Sequence, residues 1–219
     1  MATIAENLQA VRSRLEGVTL LAVSKTQDVA RIREAAAAGQ RAFGENYVQE
    51  ALQKMQQMED MRPALEWHLI GALQSNKTRA AAEHFDWVQT VASEKIARRL
   101  SEQRPAHLPP LNVLIQVNVS GETSKSGVAP GQARELAQAI SNFANLRLRG
   151  LMAIPEPGAE RARYREVKAL YDGLKGEFGF DTLSMGMSDD LEVALAEGST
   201  MVRIGTAIFG SRKKHKDAA

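Results

Sequence analysis

Apolar positions along this chain follow two alternating rhythms. Ile4, Leu8, Val11 and Leu15 recur at spacings of four, three and four, which predicts an amphipathic helix. The next stretch, Thr19-Leu20-Leu21-Ala22-Val23-Ser24-Lys25-Thr26, begins with apolar or β-branched residues and has no room for a polar face. That is the pattern of a strand buried on both sides, as in a parallel sheet covered by helices. Asp28 is placed to cap a second helix, the alanines from Ala35 to Ala38 pack closely, and Gly39 can end it in the left-handed conformation. One βα unit is then complete.

The same alternation repeats to the end. Strands are expected at 41–44, 66–71, 86–91, 111–119, 146–154, 182–187 and 200–204. Helices fall between them: one carrying Val48, Ala51, Leu52 and Met55 and closed by Pro63, then 75–84, 93–104 and 132–143. A further helix carries Val167, Leu170, Tyr171 and Leu174, with Gly176 and Gly179 at its end, and the last runs from a cap at Ser188 to about 197. Eight strands alternating with helices predict an α/β fold, a closed (β/α)8 barrel of the TIM type, with residues 1–219 as a single domain. An open doubly wound sheet is the alternative.

The 219 residues suit one such barrel. A formal charge of +2, from 28 basic and 26 acidic residues, gives no global field that would select nucleic acid or an anionic membrane. The basic run at 212–216 has no interleaved aromatic residue and reads as a solvated terminus. The amino terminus is unlike a secretory signal, and no apolar run approaches the roughly 20 residues of a membrane span. Cysteine is absent, excluding disulfides and thiolate chemistry. A cytoplasmic protein is expected.

Chemistry is expected at the carboxyl ends of the strands, which form the ligand face of α/β folds. Lys25 stands where the first strand stops, placed for chemistry unless it is merely a solvated loop lysine. Barrels often hold phosphate between the loops after strands seven and eight. Ser188, as an N-cap, and Gly205-Thr206 occupy those two loops, although each also has a purely structural reading as cap or turn. Arg203 alternates with Val202 and Ile204, so its guanidinium is expected to face the barrel mouth. An amine, phosphate donors and an arginine fit an aldehyde-bearing phosphorylated cofactor held as a Schiff base: pyridoxal 5'-phosphate (PLP). Partial burial beside Arg203 would lower the lysine pKa from about 10.4 and ease condensation. Asn46 and His68 lie near the ends of strands two and three as further candidates, His68 with a structural alternative. Lys125, in the polar loop at 120–131, is a candidate second amine or a solvated lysine. Gln74, Asn76 and Lys77 open a helix on the same face, and Met185 and Met187 read as core.

Six segments, with a seventh at 149–152, carry a resemblance that spans essentially the whole chain. They are Ala22-Val23-Ser24-Lys25-Thr26, Phe43-Gly44-Glu45-Asn46-Tyr47, the run from His68 to Lys77, Ser124-Lys125-Ser126-Gly127, Gly186-Met187-Ser188-Asp189-Asp190, and the run from Val202 to Gly210. Together with Arg149-Gly150-Leu151-Met152 they resemble the pyridoxal phosphate homeostasis proteins, the YggS/PROSC-type family. The resemblance implies the barrel domain that this family shares with bacterial alanine racemases. It implies that Lys25 carries the imine, that Ser188, Gly205 and Thr206 bind phosphate, and that Arg203 faces the pyridine nitrogen. Arginine can only donate, so that nitrogen would stay unprotonated, a weak electron sink suited to holding the cofactor. Racemases similar to this barrel add a β domain bearing a tyrosine base, whereas nine residues follow Gly210 here. The implied function is PLP homeostasis without catalysis, with PLP-dependent apoenzymes as candidate recipients. The alternatives are a PLP-dependent amino-acid racemase and a cofactor-free class I aldolase-like enzyme. Leu69, Ala72 and the short link from Leu15 to Thr19 depart from the family pattern.

Overall fold

A computed structural model describes residues 2–121, 126–156 and 158–210. Eight parallel strands close into a barrel in sequence order: β1 (Thr19–Val23), β2 (Ala42–Glu45), β3 (Glu66–Leu69), β4 (Trp87–Val91), β5 (Leu111–Val117), β6 (Leu146–Ala153), β7 (Thr182–Ser184) and β8 (Met201–Ile204). Closure comes from β8 pairing with β1, with Leu20 opposite Val202 and Leu21 opposite Arg203. The expected barrel is therefore observed, and the open sheet is not.

Each strand is followed by helix or turn that returns the chain in parallel. The described helices are α1 (Ile4–Arg12), α2 (Val29–Ala37), α3 (Val48–Gln57), α4 (Thr78–His84), α5 (Glu94–Gln103), α6 (Ala133–Ser141), α7 (Arg161–Phe178), α8 (Leu191–Ala196) and α9 (Thr206–Phe209). Local chemistry sets several boundaries. Thr3 and Glu6 form a reciprocal capping box at α1, and the Ser93 hydroxyl accepts from the Ile96 amide at α5. Gly176 lies inside α7, which continues to Phe178, and Pro63 lies within a 3-10 turn at Glu59–Ala64. Ser188 is not a cap, since α8 begins only after Asp190.

The main core lies between the outer face of the barrel and the helices, and contains Ala22, Phe43, Trp67, Val202 and Ile204. Alternate residues point inward, where Leu21, Ala42 and Met201 pack together, as do Trp87, Leu114 and Met152. This parity puts Arg203 on the inside. Among the described residues, no helix is long and apolar enough to cross a membrane.

Candidate functional site at the barrel mouth

A cavity of about 580 Å³ opens at the carboxyl ends of the strands. Lys25, Asn46, Ser188, Arg203, Gly205 and Thr206 all line it, so residues spread over 182 positions of sequence (206 minus 25, counted inclusively) meet in one place. Its size is in the range of small-molecule sites, roughly 300–1,000 Å³.

Lys25 follows β1 in the turn that leads to α2. The next residue, Thr26, has φ 62°, and it is the one non-glycine residue with positive φ among those described. A β-branched side chain in that region costs ~1–3 kcal/mol and needs outside support. Support comes from beneath the turn, where the Thr26 amide donates to Glu50 Oε1 at 2.5 Å and the Ser24 hydroxyl donates to Glu45 Oε1 at 2.6 Å. Burial raises the Glu45 pKa, and the Lys54 ammonium 2.7 Å away opposes that rise.

The opposite rim is built from the ends of β7 and β8. Gly186 turns the chain at φ 96°, and a Cβ there would stand 2.5 Å from that of Ala194. Beyond it, Asp190 accepts from the Met187 amide and, at 2.6 Å, from the Tyr164 hydroxyl. Burial and the Asp190 carboxylate both push the Tyr164 pKa upward, so the phenol stays a donor. This clasp from α7 fixes the loop that brings Ser188 to the cavity. Gly205 has a different reason from the one expected: a Cβ there would press on Val23 at 3.2–3.3 Å, so its bareness lets the end of β8 lie against β1. Thr206 opens α9, whose first amides have no acceptors within the helix.

Arg203 is 3% exposed, and burial holds its guanidinium pKa down to about 10, still protonated at neutral pH. It donates to Ser184 Oγ at 2.7 Å and to the Ala153 carbonyl at 2.8 Å. Ser184 donates in turn to Gln89 Oε1 at 2.8 Å, and the Gln89 amide nitrogen lies 2.9 Å from His68 Nδ1. His68 Nε2 is 2.8 Å from Glu66 Oε1, which completes a polar line down the barrel interior. His68 is thus fully buried and stacked on Trp87, with ring centroids 5.0 Å apart, and does not line the cavity. Its structural reading is the one its position supports.

Lys125 lies outside the described residues. Met185 is buried as expected, but Met187 is 39% exposed and lines the cavity. Sequence reasoning also missed Ile70 and Ile154, which contribute apolar wall. Both stand immediately beyond a strand terminus, and that position was the available signal.

Comparison with known proteins accords with this geometry. A family profile described as "Alanine racemase, N-terminal domain" matches residues 1–213. A protein of Pseudomonas aeruginosa named "Pyridoxal phosphate homeostasis protein" is 58% identical, covering 97% of each chain. One of the same name from Escherichia coli is 53% identical over 99% of this chain and 100% of its own. The structure of PipY from Synechococcus elongatus, described as having PLP bound, superposes with a TM-score of 0.87 at 40% identity, covering 95% of this chain and 100% of PipY. By near-complete coverage at these identities, the chain belongs to the pyridoxal phosphate homeostasis protein family, built on the alanine racemase N-terminal barrel.

Proposed function

We propose that this protein binds PLP in the barrel-mouth cavity through a Schiff base to Lys25 and serves PLP homeostasis without catalysing a reaction of its own. The observation that carries the reading is the convergence of Lys25, Ser188, Thr206 and Arg203 on one cavity in a chain 40% identical to PipY, whose structure is described with PLP bound. The donor set suits the group. Ser188 and Thr206 hydroxyls, with the opening amides of α9, can receive a phosphate. Arg203 has five N–H donors and no acceptor, so it can only donate to a ring nitrogen. The Asn46 Oδ1 atom is buried without a hydrogen-bond partner among the described residues, which leaves an acceptor at the wall. When bound, PLP supplies an aldehyde that condenses with a primary amine.

The chain's own residues account for retention in preference to turnover. Arg203 stays cationic at neutral pH and keeps the atom it faces from carrying a proton, which weakens the ring as an electron sink. Release to PLP-dependent apoenzymes would occur through the open mouth, where Ile154 and Met187 expose apolar surface.

Purified protein mixed with PLP should develop the visible absorption of an imine. Lys25→Ala should abolish that band with an unchanged far-UV circular dichroism spectrum. Ser188→Ala and Thr206→Ala should each weaken PLP retention roughly tenfold, the loss of one hydrogen bond to a charged group. Full absorbance in Lys25→Ala would overturn the covalent assignment. Turnover of an amino acid that disappears with Lys25 would overturn the non-catalytic reading.

A further inference from the structure

Lys54 is a charged residue that neither the family resemblance nor the cavity accounts for. It lies on α3, is 5% exposed, and does not line the cavity. Its ammonium has three donors, and three acceptors meet them: the Ser24 carbonyl at 2.7 Å, Glu45 Oε1 at 2.7 Å and Glu50 Oε1 at 2.6 Å. The two carboxylates then turn back on the same stretch of chain. Glu45 accepts from the Ser24 hydroxyl, and Glu50 accepts from the Thr26 amide. Lys25 is therefore bracketed: the residues immediately before and after it are tied to one ion-pair cluster.

Net stability is a poor reason for such a cluster, because desolvating the charges offsets most of their attraction. Orientation is a better one. The turn runs through Thr26 at φ 62°, a conformation that threonine leaves when nothing holds it. A one-residue span with both ends pinned has little freedom in where its side chain departs. For a nucleophile, that fixed departure point is worth more than any added contact.

We infer that Lys54, acting with Glu45 and Glu50, is a positioning residue for Lys25: the cluster clamps the backbone on both sides of Lys25, so that its amine enters the cavity at one place. The inference rests on the proposed role of Lys25 as covalent anchor.

Full-length protein freed of PLP tests it, as wild type, Glu50→Ala, Glu50→Gln and Lys54→Met. Glu50 has a side chain 26% exposed, its truncation leaves Lys54 still bonded to Glu45 and the Ser24 carbonyl, and glutamine keeps an oxygen for the Thr26 amide. Two quantities are measured: amide hydrogen exchange across residues 24–28, and the rate at which added PLP becomes fixed to Lys25 by borohydride, read by peptide mass mapping. Glu50→Ala should exchange at least tenfold faster there and fix PLP at least tenfold more slowly. Glu50→Gln should recover most of both, a rescue that a purely structural role for the charge would not give. Lys54→Met should move both quantities further in the same direction. Fixation at the wild-type rate in Glu50→Ala overturns the inference, even if Lys54→Met fails to fold. If wild type itself fixes no PLP on Lys25, the proposed function falls, and exchange alone then decides the clamp: unchanged exchange in Glu50→Ala overturns it, and faster exchange supports it.

Discussion

Replacing Arg203 by methionine should cost the ligand-free barrel no more than about 3 kcal/mol of stability while removing the cation buried in the cavity wall. The guanidinium has its pKa held down to about 10, well below the ordinary arginine value, and burial is the main cause. That gap corresponds to a desolvation cost of about 3 kcal/mol. Because the folded value is the lower one, the cost is fully present below about pH 10 and is relieved as pH rises from there toward the ordinary arginine value. Against it stand the hydrogen bonds to Ser184 and Ala153, worth about 1.5–3 kcal/mol each when the donor is charged. Losing about 3–6 kcal/mol and recovering about 3 leaves a net loss of about 0–3 kcal/mol, or up to about 10 °C in Tm for a chain of this size. Calorimetry of ligand-free protein would measure the stability, and a PLP titration followed by absorbance would measure the affinity. Methionine should weaken PLP binding at least tenfold, far out of proportion to its effect on Tm. Unchanged affinity, or a stability loss beyond ~5 kcal/mol, would refute the reasoning, since Arg203 would then be a structural residue.

Two further outcomes follow from neighbouring geometry. Gly186→Ala must place a Cβ against Ala194 in a left-handed backbone and should cost ~2–4 kcal/mol in urea unfolding, with weaker PLP retention because Ser188 lies two residues on; wild-type stability would show that the turn is not constrained as described. Glu66 has its pKa lowered: burial works against this, but the hydrogen bond and charge of His68 outweigh it. A depressed carboxyl contributes stability that is present above its ordinary value of 4.5 and lost as pH falls through the folded value, so the gap between wild type and Glu66→Gln should close in acid. A gap independent of pH would contradict that.

The barrel was legible because most strands are short apolar runs, bounded by turn residues and set between longer stretches of helical spacing, so length and alternation told the two apart where periodicity alone would not. Strand ends were less so. The seventh strand reads as 182–187 by hydrophobicity but stops at Ser184, because Gly186 turns the chain at positive φ. Ser188 reads as a helix cap, yet the loop is held instead by Asp190 and a tyrosine 26 residues earlier, a partnership that no local pattern discloses. His68 illustrates how depth escapes a strand-end argument. It shares inward parity with Ile70, but two residues along a strand move a side chain about 6.6 Å down the barrel, out of the cavity and into the interior. The clamp under Lys25 was equally hidden, since Glu45, Glu50 and Lys54 read as ordinary charges until α3 is seen to pack under the β1 turn.

The most direct measurement is borohydride reduction of the PLP-treated protein followed by proteolysis and mass mapping of the adduct. The account predicts one phosphopyridoxyl group on the peptide that contains Lys25. An adduct confined to other lysines, or none at all, would contradict it.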